Sequence, residues 1–186
     1  MSRTNKTRVV EPEAVITQRR RRLRDRDMAV SLLGKVVTLI LATLLLFGVI
    51  FGITPMKGSD MEPKFASGDL LLYYRLSVGQ SRNELVLMER DGKQYVGRII
   101  GLPGDTVNID NTGTINVNGN NIFEDGIYFE TKPYQSVGRY PLTLKDNEYF
   151  ILADKRDTAK DSRFFGAVTA EELKGRIIMS IKRTDI

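Results

Sequence analysis

From Val36 to Ile53 the chain runs eighteen residues without a charge, with Leu39, Ile40, Leu41, Leu44, Leu45, Leu46 and Phe47 at its centre. As a helix this segment is roughly 27 Å long, close to the ~30 Å hydrocarbon core of a bilayer. Ala29 to Gly34 extend it if Lys35 snorkels toward the headgroups. Arg19, Arg20, Arg21, Arg22, Arg24 and Arg26 lie just before it. A basic cluster at one end of a span is normally retained in the cytoplasm, which predicts a single-pass protein of the cell membrane with its N-terminus inside. A cleavable signal peptide would have a shorter charged region, a shorter apolar core and a small-x-small cleavage site, so an uncleaved anchor is expected. No second segment is apolar enough to span. The predicted organisation is a cytoplasmic basic arm without regular structure (1–27), a transmembrane anchor (28–53) and an extracellular domain (54–186). Pro55 is expected to end the anchor helix.

Charge is unevenly placed. Residues 1–35 hold ten Lys or Arg and four Asp or Glu, out of 28 and 23 in the chain. The remainder is therefore close to neutral and lacks the positive field that nucleic-acid binding needs. There is no cysteine and no histidine. Thiol nucleophiles, disulfides, Ser-His-Asp or Cys-His catalysis and His- or Cys-ligated metal are excluded, and no cofactor or metal is expected.

Beyond Thr54 the pattern is that of strands. Leu70–Tyr74 follows the turn signal Ser67-Gly68-Asp69. Leu85–Met88 and Tyr95–Ile100 flank Asp91-Gly92 as a hairpin. Val107–Ile109 and Thr114–Val117 flank Asp110–Gly113, and Asn118-Gly119 marks a further tight turn. Tyr149–Leu152 and Arg176–Ile181 complete the strong strands, and Thr169–Leu173 suggests one helical turn capped by Thr169. The fold class is mainly β: an antiparallel β domain of many short strands behind one N-terminal helix.

Met56-Lys57-Gly58-Ser59-Asp60-Met61-Glu62-Pro63 is similar to Gly-x-Ser-Met-x-Pro, the nucleophile box of the type I signal peptidases, Ser/Lys-dyad enzymes, with Asp60 where the serine stands. Three further stretches, in order, resemble boxes of the same family. Tyr95-Val96-Gly97-Arg98-Ile99-Ile100-Gly101-Leu102-Pro103-Gly104-Asp105 is similar to the box carrying the general-base lysine, with Gly97 in its place. Val117-Asn118-Gly119 matches a family hairpin. Ala153 to Gly166 follows Gly-Asp-Asn-Arg-x-x-Ser-x-Asp-Ser-Arg-x-x-Gly at Asp154, Arg156, Asp161, Ser162, Arg163 and Gly166. It departs at Ala153, at Lys155 and at Ala159, which stands for a serine. The resemblance covers roughly residues 28–180 and implies a signal-peptidase-like β domain.

In such a dyad the lysine must be neutral to accept the serine proton. Glycine cannot accept a proton, and Asp60 has no hydroxyl, so a degenerate, non-enzymatic member is expected. Three substitutes for the dyad can be weighed. Ser59 could replace the nucleophile, but on an extended segment it would face away from Asp60. Arg98 is always protonated, and Lys57 is wrongly offset for a base on the lysine-bearing strand. Asp60 with Asp161 could form a carboxylate dyad. In the family, the aspartate matching Asp161 partners the arginine matching Arg163, so an Asp161–Arg163 salt bridge is favoured.

The resemblance further implies a cleft whose strand edge receives an extended polypeptide. The expected cleft residues are Ser59, Asp60, Met61, Pro63, Gly97, Arg98, Ala159, Asp161, Ser162 and Arg163, with an open gap at Gly97. The substitution pair resembles that of signal-peptidase-like accessory proteins in Gram-positive pilus gene clusters. That implies a chaperone or assembly role with pilin subunits and a class C sortase as partners. The alternative is an active signal peptidase with unusual residues.

Overall fold

The computed structural model describes residues 12–124, 126–127, 130–134 and 140–183. The chain forms two compact units, residues 1–46 and 47–186.

In the first unit, helix α1 runs from Pro12 to Leu45. Residues 12–27, expected to lack regular structure, are therefore helical. The physical reason lies in composition: proline is favoured at a first helical position, and no glycine or further proline follows until Gly34. Residues 1–11 of the predicted arm lie outside the described residues. The stretch Arg24–Ile50 is long and apolar enough to cross a membrane, and its side chains are unburied.

The helix ends through a π-type turn, Leu46–Ile50, and strand β1 begins at Phe51. This corrects the anchor boundary at Ile53 and the assignment of Pro55 as helix stop. Phe51–Pro55 pairs antiparallel with β2 (Leu70–Tyr74), Phe51 opposite Tyr74 and Pro55 opposite Leu70. A five-residue ladder decides the conformation of a segment whose apolar character alone fits either state.

The remaining strands are β3 (Leu85–Arg90), β4 (Lys93–Gly101), β5 (Thr106–Ile109), β6 (Ile115–Val117), β7 (Asn120–Asn121), β8 (Leu142–Thr143), β9 (Glu148–Leu152), β10 (Val168–Thr169) and β11 (Leu173–Ile181). A short helix α2 (Ser162–Phe165) and a 3₁₀ turn (Ala170–Glu172) complete the elements. Seven strands form one sheet, in the order β1-β2-β11-β3-β4-β9-β10; the other sheet is β7-β6-β5-β8. The expected antiparallel β architecture is the observed one.

Turn chemistry sets the hairpins. Asp91 and Gly92 both take positive φ, 52° and 70°, as do Asn118 and Gly119 at 54° and 84°. Asp, Asn and Gly reach that region cheaply, and such pairs match the twist of two-residue hairpins. The helical turn expected at 169–173 is the 3₁₀ turn, where Thr169 and Glu172 form a capping box.

One core cluster gathers Met56, Met61, Phe65, Leu71, Tyr73, Leu87, Val96, Ala153 and Ala159. It packs the 56–65 loop onto the large sheet and so carries the site above it. The opposite face of β1, β2 and β11 aligns Ile53 with Leu72 and Met179, and Pro55 with Leu70 and Ile181. Ile53, Leu70, Met179 and Ile181 on that face are exposed.

Candidate functional site

The loop joining β1 to β2 holds the first motif. It is anchored at its ends by the Met56 N–H to the Asp69 carbonyl (2.7 Å) and the Gly68 N–H to the Met56 carbonyl (2.9 Å). Between them the chain turns rather than extends: the Glu62 N–H reaches the Ser59 carbonyl and the Phe65 N–H that of Met61. The premise that Ser59 and Asp60 alternate along an extended segment therefore does not hold. Met61 is fully buried, and its sulfur accepts from the Asp154 N–H.

The second wall is the segment after β9. The Lys155 N–H donates to the Asp60 carbonyl at 2.9 Å, joining the two loops. The Lys155 ammonium reaches Glu62 Oε2 at 3.0 Å and Ser59 Oγ at 3.4 Å. Neither Lys155 nor Glu62 was among the residues expected from sequence. The only sequence signal was that Lys155 breaks the motif pattern.

Asp161 is the structural hub of this segment. Its carboxylate caps α2 by accepting the Arg163 N–H (3.0 Å) and also takes the Ala153 N–H (3.1 Å). The Arg163 guanidinium closes on both oxygens at 2.9 and 2.8 Å. The expected salt bridge is therefore formed, and the pair is fully buried. With its oxygens so occupied, Asp161 has no free lone-pair direction to share a proton with Asp60. Ser162 Oγ accepts the Ile151 N–H at 2.9 Å, a hydrogen bond that is wholly structural. Arg163 also lies over the Tyr134 ring and donates to the Lys132 carbonyl, while the Tyr134 hydroxyl donates to the Ala159 carbonyl. Arg156 extends from the same segment to Thr131 and Glu124. Burial of Tyr140, and then the charge of Asp161, push its phenol up to about 12.

Gly97 sits in β4 opposite Val86. A Cβ at this position would lie 2.5 Å from Ile151 Cγ2 and 3.1 Å from the Leu152 carbonyl oxygen. Contacts under 3 Å are inside van der Waals range, so the space is already taken. The gap expected at Gly97 is filled by its neighbour on β9. Arg98, one residue on, is bound to Asp154 through two hydrogen bonds of 2.9 and 2.7 Å.

Of the ten expected cleft residues, Ser59, Asp60, Pro63 and Arg98 keep accessible surface. Met61, Gly97, Ala159, Asp161, Ser162 and Arg163 are buried behind them as its support.

The Asp60 carboxyl is pushed above the ordinary carboxylate range, first by burial, then by the charge of Asp161, with Lys155 opposing. Within the described residues no hydrogen bond reaches this carboxylate. Among the described residues no group of three or more carboxylates is placed to hold a metal ion.

Comparison with known proteins identifies the family. The family model for signal peptidase, peptidase S26, matches residues 29–181. A signal peptidase I of Bacillus licheniformis is 30% identical over 139 residues, covering 69% of this chain and 74% of that protein. Signal peptidase IB of Staphylococcus aureus is 28% identical over 171 residues, 81% of this chain and 89% of its own length. A crystal structure of a signal peptidase I from Enterococcus faecalis V583 overlays with a TM-score of 0.43 at 28% identity, covering 53% of this chain and 96% of that one. With the match running from the N-terminal apolar helix through the last strand, the chain belongs to the signal peptidase family, peptidase S26.

Proposed function

We propose that this chain is a non-catalytic member of its family, which holds an extended polypeptide at the outer membrane face and releases it uncut. The observation that carries the reading is the filled space at Gly97: Ile151 occupies the position from which the resemblance would deliver the base. Asp60 at the nucleophile position has no hydroxyl. Attack by its carboxylate on an amide would have to expel an amine without an acid to protonate it. The N-terminal basic cluster supports an orientation with residues 54–186 outside.

The Asp-for-Ser and Gly-for-Lys pair resembles that of accessory proteins encoded with Gram-positive pilins. On that ground the held polypeptide is a pilin subunit or a segment of the class C sortase that joins pilins. Anchoring both partners on one surface raises their effective concentration without any chemistry by the anchor itself.

One observation favours the second reading, an active peptidase with relocated groups: Lys155 Nζ lies 3.4 Å from Ser59 Oγ. The same Nζ lies closer to Glu62 Oε2, at 3.0 Å, so the carboxylate rather than the hydroxyl is its nearer partner.

The test is photo-crosslinking in cells that assemble sortase-linked pili. A crosslinker at exposed Lys57, in the site loop, captures pilin and sortase. One at exposed Asn111, in a groove formed with Ile109, Tyr134 and Tyr140 on the small sheet, does not. Failure of Lys57 to capture either partner overturns the assignment.

A further inference from the structure

Four carboxylates around the site are each matched with a cation. Asp161 is held by Arg163, Asp154 by Arg98, Glu124 by Arg156 and Glu62 by Lys155, at 2.6 to 3.0 Å. Among the described residues, Asp60 has no such partner. It stands at the accessible surface of the same loop, between these pairs. Lys155, whose charge acts on it, is already engaged by Glu62 and Ser59, and its backbone N–H is hydrogen-bonded to the Asp60 carbonyl.

A half-buried carboxylate with no donor has lost part of its hydration without replacement. Its repulsion from Asp161 adds to that cost. A positively charged group arriving from outside would relieve both terms at once, whereas a neutral or acidic one would relieve neither. The backbone would not have to move, because the Asp60 carbonyl is fixed by Lys155 N–H whatever the side chain binds.

We infer that the polypeptide held in this cleft places a lysine or arginine side chain against Asp60, so that the residue at the old nucleophile position selects its ligand by charge. This rests on the cleft-binding reading above and adds the chemistry of the bound segment. Neither the buried residues of the cleft wall nor Gly97 could perform this selection, since none offers an unpaired charge at the surface.

The experiment uses the full chain in a non-ionic detergent at neutral pH and low salt. Fluorescent ten-residue peptide mixtures, randomised except at the centre, carry lysine, arginine, acetyl-lysine or norleucine there. Binding is read by anisotropy for the parent chain and for Asp60→Asn, which keeps the side-chain shape. The expected result is that lysine and arginine mixtures bind about tenfold more tightly than acetyl-lysine, in the range of one charge-assisted hydrogen bond. Asp60→Asn brings them to the acetyl-lysine level. Equal binding of lysine and acetyl-lysine overturns the inference, as does a preference that survives Asp60→Asn. In both of those cases measurable acetyl-lysine binding leaves the cleft reading standing, while absence of binding in every arm retires both.

Discussion

Ile151 Cγ2 stands 2.5 Å from the point that a Cβ at Gly97 would occupy. Two residues on neighbouring strands thus share one side-chain volume. Overpacking a tight core costs about 1–3 kcal/mol. Gly97→Ala should therefore lower stability by about that much, measured by pulse proteolysis of the full chain in detergent. Ile151→Leu removes the γ2 branch at nearly constant volume. In that background the cost of Gly97→Ala should fall by at least half, and the double-mutant cycle reads the coupling directly.

The same contact bears on repair of the dyad. Asp60→Ser with Gly97→Lys should stay inactive, because the lysine stem meets Ile151 and the Leu152 carbonyl before it can reach the serine. If turnover can be regained, it should require Ile151→Leu as a third change. A signal-peptide cleavage assay on the double and triple variants checks this.

Asp161 and Arg163 are both buried, with side chains 2% and 0% exposed. Removing one partner of such a pair strands the other charge, at about 3–5 kcal/mol. Arg163→Met and Asp161→Asn should each destabilise by that order, the latter also losing the cap of α2. Changing Lys155 to Met should cost under about 1 kcal/mol, because its partner Glu62 is partly exposed and solvent screens the pair. Thermal unfolding of the variants separates the two classes.

Burial and Asp161 raise the Asp60 carboxyl above its unfolded value, with Lys155 opposing. In the window between the two values the native state holds the proton more tightly, so raising pH through it removes stability. Below the unfolded value the group contributes its full share; above the folded value that share is gone. Asp60→Asn should consequently be more stable than the parent at pH 7. The advantage should shrink as pH falls through the carboxylate range. Melting temperatures of the two proteins across pH 7 to 4 give the sign.

Much of this fold is legible from local chemistry. Asp91-Gly92 and Asn118-Gly119 announce their hairpins because few residues accept positive φ. The Arg-rich approach and the uncharged run announce the long apolar helix. Strand β1 is not legible, since Phe51–Ile53 only prolong an apolar run and pairing with β2 decides their state. Strands β7, β8 and β10, of two residues each, carry no periodicity to detect.

At the site, the Asp161–Arg163 bridge is legible through the family resemblance, in which the matching aspartate and arginine are partners. The filling of Gly97 by Ile151 does not, because it depends on a register that shifts between Ile99 and Gly101. Lys155 is visible beforehand only as a departure from the family motif, and its hold on Glu62 and Ser59 comes from the folding of two distant loops.

The most direct measurement is cleavage of a signal-peptide substrate by the full chain in detergent. The account predicts no cleavage above a protein-free control, in the parent and in Ser59→Ala, Asp60→Ala and Lys155→Met alike. Cleavage by the parent that disappears in any of those three variants would contradict it.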